Sequence, residues 1–160
     1  MKLIIAAGLM LAALTCTAVT IEGKVVGVAD GDTITVLDDT RNQHKVRLAG
    51  IDAPEKKQSF GNRSNQSLSD LVFNKDVVVE TNKRDKYKRS VGKVLVDGVD
   101  VNLEQVKRGM AWHYKAYARE QSAFDRKVYA ETEMEARAVR RGVWADAEPM
   151  PPWEFRHQPH

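Results

Sequence analysis

A mainly β member of the α+β class, a small five-stranded Greek-key barrel covered by about three helices, is the architecture this sequence predicts. Three observations carry it: alternating apolar and polar runs flank turn dipeptides over residues 20–48, two valine-rich runs follow at 77–79 and 91–96, and helical periodicity is confined to the segments between and after them. Periodicity alone also admits other α+β folds.

Residues 20–36 alternate on either side of Asp30-Gly31, a dipeptide suited to a tight hairpin between strands one and two. A polar turn over residues 38–42 leads to a third strand at 44–48, where Val46 and Leu48 face one way and Lys45 and Arg47 the other. Pro54 holds Ala53 extended and ends the ladder, so residues 52–55 are expected as a rigid loop. A helix is predicted at 64–73, with Leu68, Leu71 and Val72 at helical spacing. Val77-Val78-Val79 reads as a buried strand and residues 91–96 as a fifth, with 82–89 between them as a charged loop.

Asp97-Gly98 turns the chain into a helix at 101–108 that Gly109 stops, and residues 111–117 are aromatic and irregular or extended. The longest helix is expected at 122–141, with Phe124, Val128, Met134 and Val139 near one stripe and Gly142 as its stop. Residues 147–160 hold four of the five prolines and little periodicity, and read as a tail largely without regular structure.

Met1-Lys2, an uncharged apolar run from Leu3 to Leu14, and small residues ending at Ala18 fit an export signal cut after residue 18. That divides the chain into a leader at 1–18, one domain at 19–146 and the tail at 147–160, in a periplasmic or secreted protein. An uncleaved anchor is the alternative, but the run is short of the roughly 20 residues that cross a bilayer. A lipid on Cys16 is disfavoured by Thr15 before it. Cys16 is the sole cysteine, so the mature chain has no disulfide and no thiolate metal site. With 25 Lys and Arg against 22 Asp and Glu, the mild positive excess permits polyanion binding without requiring it.

Asp32, just after the first hairpin turn, and Asp52, just after strand three, reach the same end of a barrel if those strands pair. Two carboxylates at about 4 Å repel by roughly 4 kcal/mol at an effective dielectric near 20, so a cation or a shared proton belongs between them. Oxygen donors without nearby His or Cys favour Ca²⁺ or Mg²⁺. Glu55, beyond Pro54, is placed to hold a water against phosphorus, while Arg47 and Arg89 offer guanidinium forks for a phosphate gaining charge. Each has a plainer reading: a turn aspartate, a loop carboxylate, a surface arginine. His113, His157 and His160 read as packed or solvated.

The motifs DGDT at 30–33, RLAGIDAPE at 47–55, DKYKR at 85–89, VNLEQVKRGMA at 101–111 and RRGVW at 140–144 together resemble the staphylococcal nuclease family over about residues 21–144. The resemblance implies an OB-fold barrel and Ca²⁺-dependent cleavage of DNA and RNA to 3′-phosphate ends. It implies Asp32, Asp52 and the Ala53 backbone carbonyl as metal ligands, Glu55 as the residue that activates or orients water, and Arg47 and Arg89 as phosphate clamps. Lys86, Tyr87 and Tyr117 fall where the family borders the nucleotide, which suits single-stranded or frayed nucleic acid bound by stacking. Two positions depart from the pattern: Ala53 replaces a threonine, and Lys88 replaces a glycine before Arg89. The expected protein is a monomeric exported nuclease with no membrane association after leader removal. A non-catalytic OB-fold binding module and a plasmid-transfer accessory protein acting through the tail are the alternatives.

Overall fold

Strand β1 (Val19–Asp30) pairs along its first half with β5 (Asp76–Arg84) and along its second half with β2 (Thr33–Leu37), both antiparallel, so one long strand belongs to two walls. Register shifts at Val25/Gly27 and Val28/Asp30 bend it between them, as bulges do. β2 pairs with β3 (Gln43–Leu48), β5 with β6 (Ser90–Val96), and a parallel pairing of β3 with β6 closes the barrel. The computed structural model describes residues 19–159; the expected leader lies outside the described residues, as does His160.

The barrel is filled by inward residues at alternating positions, among them Val25, Ile34, Val36, Val46, Leu48, Val77, Val79 and Val94, with Leu68 and Val72 of helix α1 (Gly61–Val72) in the same cluster. Val78 points outward and is 36% exposed, so the valine run expected to be wholly buried is a half-buried strand. β5 also runs on to Arg84, which shortens the charged loop to residues 85–89.

Two-residue bridges finish the sheets. β4 (Ile51–Asp52) pairs with β8 (Trp112–His113), and β7 (Val99–Asp100) caps β6 before helix α2 (Val101–Lys107). Asp52 is therefore the end of a bridge strand rather than the start of the expected rigid loop. Gly109 stops α2 with φ +64°, and a Cβ there would meet the Arg141 carbonyl oxygen at 2.1 Å, which requires glycine.

Helix α3 (Ala123–Ala138), with Ser122 as N-cap, buries a different stripe from the expected one. Phe124, Met134 and Val139 are exposed, and Tyr129, Glu133 and Ala136 are buried. The buried face is held by polar contacts: the Tyr129 hydroxyl donates to Asp100 at 2.8 Å, and Glu133 accepts the His113 N–H at 3.1 Å. Hydrophobic periodicity misreads such a face. The C-terminal segment is largely without regular structure, as expected, but it is docked on the domain. It makes one helical turn, α4 (Pro152–Phe155), and Trp153 packs against a second cluster of Trp112, Ala136, Val143 and Trp144. Among the described residues, no helix is long and apolar enough to cross a membrane.

Candidate active site

Both carboxylates of interest lie where strands leave the barrel at one end. Asp30 pairs with Thr33, so the hairpin loop is Gly31-Asp32, one residue beyond the dipeptide expected from sequence. Gly31 is required by space: a Cβ there would sit 1.8 Å from Ser64 Oγ and 2.8 Å from the Ala53 Cβ. The Leu48 N–H donates to the Asp32 carbonyl at 2.8 Å, which ties this loop to the exit of β3. From β3, Arg47 reaches back over the loop toward Asp52 on β4.

The five residues singled out from sequence converge, four of them through a continuous chain of hydrogen bonds and one ion pair. Arg89 Nη1 lies 3.3 Å from Thr33 Oγ1, which donates to Asp32 Oδ1 at 3.1 Å. Asp32 Oδ2 accepts the Ala53 N–H at 2.8 Å and pairs with Arg47 Nη1 at 3.2 Å. Arg47 also donates from Nη1 to the Leu48 and Ile51 carbonyls at 2.9 and 3.0 Å, and from Nη2 to Asp52 Oδ1 at 3.0 Å. The chain then continues through a residue the sequence had left in the tail. Arg156 donates to Asp52 Oδ2 at 2.8 Å and to Glu55 Oε1 at 2.7 Å.

The cation expected between Asp32 and Asp52 is, in this structure, the Arg47 guanidinium. Among the described residues no group of three or more His, Cys, Asp or Glu forms a metal cage. The local electrostatics still leave room for a hard divalent ion. Burial, and then the neighbouring Asp32 charge, pushes the Asp30 carboxyl up to about 6. Burial also raises Asp52, against the lowering pull of Arg156 and Arg47. The surrounding cleft, about 620 Å³, is lined by six carboxylates and five Lys or Arg side chains. A polyanion meets a formally negative cleft there, and one divalent cation reverses the balance. The donors are carboxylate and backbone oxygens, the chemistry of Ca²⁺ or Mg²⁺.

Lys88 adopts φ +63°, the left-handed conformation that its glycine counterpart would take without strain. The turn closes nonetheless, with the Lys88 N–H donating to the Asp85 carbonyl at 2.9 Å and the Arg89 N–H to Asp85 Oδ1 at 3.0 Å. Arg89 Nε then pairs with Asp85 Oδ2 at 2.8 Å, so Arg89 is delivered to the cleft despite the substitution.

An aromatic wall faces the acids. Tyr87 and Tyr117 are exposed and line the cleft with Tyr114. Lys86 Nζ lies 5.0 Å and Arg89 Cζ 5.3 Å from the Tyr87 ring centre, and Lys83 Nζ 5.1 Å from that of Tyr117. Trp112 is buried against Trp144, and His113 is 2% exposed and bound to Gln121, so both are packing residues. A larger groove, about 960 Å³, opens at the other ends of the strands beside Asp38, Asp39, Asp76 and Asp97. Among the described residues no Lys or Arg lines it, and its charge there is acidic, which does not favour a polyanion.

A model of the family described as staphylococcal nuclease homologue matches residues 45–146. The chain belongs to that family. It is 42% identical over 135 residues to an uncharacterized endonuclease of Haemophilus influenzae, covering 84% of this chain and 72% of the relative. It is 44% identical over 139 residues to an uncharacterized endonuclease of Escherichia coli, covering 86% of each. A micrococcal nuclease of Shigella flexneri is 41% identical over 143 residues, 84% of this chain and 79% of the relative.

Within this staphylococcal nuclease homologue fold, several residues that shape the site went unassigned in the sequence. Asn102 and Gln105, both fully buried on α2, hold the loops in place. Gln105 Nε2 donates to the Gly31 carbonyl at 2.8 Å and Asn102 Nδ2 to the Ala49 carbonyl at 2.9 Å. The two amides share the buried face of this helix with Val101 and Val106, and on an amphipathic helix nothing local sets them apart. Asp30 was visible only as a turn residue. Nothing local marked Arg156, because its role arises from chain return.

Proposed function

We propose that this protein is an exported endonuclease that hydrolyses phosphodiester bonds of DNA and RNA with Ca²⁺, leaving 3′-phosphate ends. One observation carries the reading: hydrogen bonds and one ion pair link Arg89, through Thr33, to Asp32, Arg47 and Asp52 in one cleft, with Glu55 beside them. Membership of the family and the printed names of the endonuclease and micrococcal nuclease relatives support it. The leader read in residues 1–18 puts the proposed activity outside the cytoplasm.

Asp32, Asp52 and the Ala53 carbonyl would hold the ion, which when bound supplies Lewis-acid charge beside the scissile phosphorus. Arg47 and Arg89 take up the charge that develops on the phosphoryl oxygens, a job for planar forks rather than point charges. Glu55 orients the attacking water and accepts its proton. The water oxygen bonds to phosphorus as the P–O5′ bond breaks, the 5′ oxygen takes a proton from solvent, and a 3′-phosphate and a 5′-hydroxyl remain. Tyr87 and Tyr117, with Lys86, stack and hold bases without reading them, which favours single-stranded or frayed substrate.

The deciding experiment is incubation of the purified protein with linear and single-stranded DNA in Ca²⁺, in Mg²⁺ and in chelator, followed by end-group analysis. Cleavage in Ca²⁺ that chelator abolishes, with 3′-phosphate ends, is the expected result. Binding without cleavage under every condition would reduce the protein to a nucleic-acid-binding module.

A further inference from the structure

We propose that the C-terminal segment is an intramolecular ligand that closes the candidate active site, Arg156 holding its acids and Trp153 its aromatic wall. The proposal rests on the assignment of the site made above.

Arg156 spans two carboxylates that the chemistry needs free. Its Nη2 lies 2.8 Å from Asp52 Oδ2, and its Nη1 lies 2.7 Å from Glu55 Oε1 and 3.3 Å from Asp52 Oδ1. With Arg47 on Oδ1, both oxygens of a carboxylate that is 1% exposed are taken by guanidinium groups. A divalent ion on Asp52 competes directly with Arg156, and a water held by Glu55 competes with the same fork.

Three residues earlier, Trp153 stacks on Tyr114 with ring centres 5.4 Å apart and planes 27° apart. Tyr114 lines the cleft next to Tyr117. The segment thus presents a cation to the acids and a flat ring to the tyrosine, the two chemistries that an ion and a nucleobase would bring.

Its attachment is local, and it adds to the packing of Trp153 on the second hydrophobic cluster. Gln58 Nε2 donates to the Met150 carbonyl at 2.6 Å, Pro152 is buried, and α4 is a single turn. Arg47, by contrast, lies on a strand bonded on both sides, to Thr33 and to Val91. Of the two guanidinium groups on Asp52, Arg156 is the one whose element can leave without opening the barrel.

The test uses the full chain with Arg156→Gln and, separately, Trp153→Ala, each checked for folding by circular dichroism. Calorimetric titration with Ca²⁺ alone reads affinity without nucleic acid; cleavage of a single-stranded oligonucleotide across Ca²⁺ concentrations reads the consequence. A site that is open one-tenth of the time shows an affinity about tenfold below its intrinsic value. Each variant is expected to bind Ca²⁺ about tenfold more tightly and to reach half-maximal rate at correspondingly lower Ca²⁺, with rates at saturation within about twofold of wild type. Unchanged Ca²⁺ affinity in both variants would overturn the closure, leaving a surface ion pair. Weaker oligonucleotide binding by Arg156→Gln at unchanged Ca²⁺ affinity would overturn it in favour of Arg156 as a phosphate ligand. A wild-type protein that neither binds Ca²⁺ nor cleaves overturns the proposed function itself, an outcome distinct from variants that match an active wild type.

Discussion

Arg47 and Arg156 meet on the Asp52 carboxylate, yet one comes from the middle of a closed barrel and the other from the last residues of the chain. Arg47 is positioned by the register of β2, β3 and β6, and its side chain is 16% exposed; that of Arg156 is 41% exposed and follows a single helical turn. The difference separates a side chain fixed by the barrel from one held by docking. A charge carried on a strand with two bonded neighbours cannot move without breaking the ladder, whereas one on a docked terminus is held only by the contacts it makes on arrival.

Substituting the strand-borne arginine should have the largest effect. Lysine is the better probe than alanine, because removing the charge would strand two buried carboxylates at a cost of about 3–5 kcal/mol. Arg47→Lys keeps a charge but loses the fork that spans Asp32, Asp52 and two carbonyls. Turnover on a single-stranded oligonucleotide should fall about 10²–10³-fold while circular dichroism stays native-like. Turnover within a few-fold of wild type would place Arg47 on the structural side of the site.

The electrostatic cost of the barrel end supplies a second, smaller test. Asp30 has its carboxyl pushed up to about 6 from 3.8, by burial first and Asp32 second. The protonated fold is the comfortable one: below about pH 4 the group is neutral in folded and unfolded chains alike, and stability is lost as pH rises through about 6 and the fold must carry the charge. In chelator, Asp30→Asn should remove that loss while its amide oxygen still accepts the Asp32 N–H now bound by Asp30 at 3.1 Å. The variant should be about 2–3 kcal/mol more stable than wild type at pH 8 and converge with it near pH 4, read by denaturant melts. Parallel curves across that range would show that Asp30 is not strained by its surroundings.

The smallest expected effect concerns the Asp85–Arg89 turn. Lys88→Gly removes a side chain from φ +63° and should stabilise the protein by about 1 kcal/mol, visible as a shift in the denaturation midpoint. If Arg89 is already well placed, as its bonds to Asp85 and Thr33 indicate, turnover should change little. A large gain in turnover would mean that Lys88 holds Arg89 off its productive position.

How much of this was legible beforehand follows from where each residue's placement originates. Asp32, Arg47 and Asp52 were readable because a hairpin turn, a period-2 strand and a proline fix them locally, and the pairing of adjacent strands does the rest. The first turn falls one residue later than the dipeptide predicts, next to the register shift between Val28 and Asp30 that alternation along the chain does not reveal. The stripe on α3 was misplaced because its buried face holds Tyr129 and Glu133, whose hydrogen bonds substitute for apolar character. The anchoring amides Asn102 and Gln105 looked like ordinary helix residues until their carbonyl partners were in place.

Turn chemistry, alternation and strand polarity are local properties, and they were enough to read the five barrel strands, the main helices and, provided adjacent strands pair, Asp32 and Asp52 at one end. Only the tertiary structure decided that Arg47 lies between Asp32 and Asp52, and that the terminal segment returns to put Arg156 on Asp52 and Glu55. Those contacts join residues as many as 104 positions apart. Their energy comes from desolvated charge meeting charge, which no window along the chain contains.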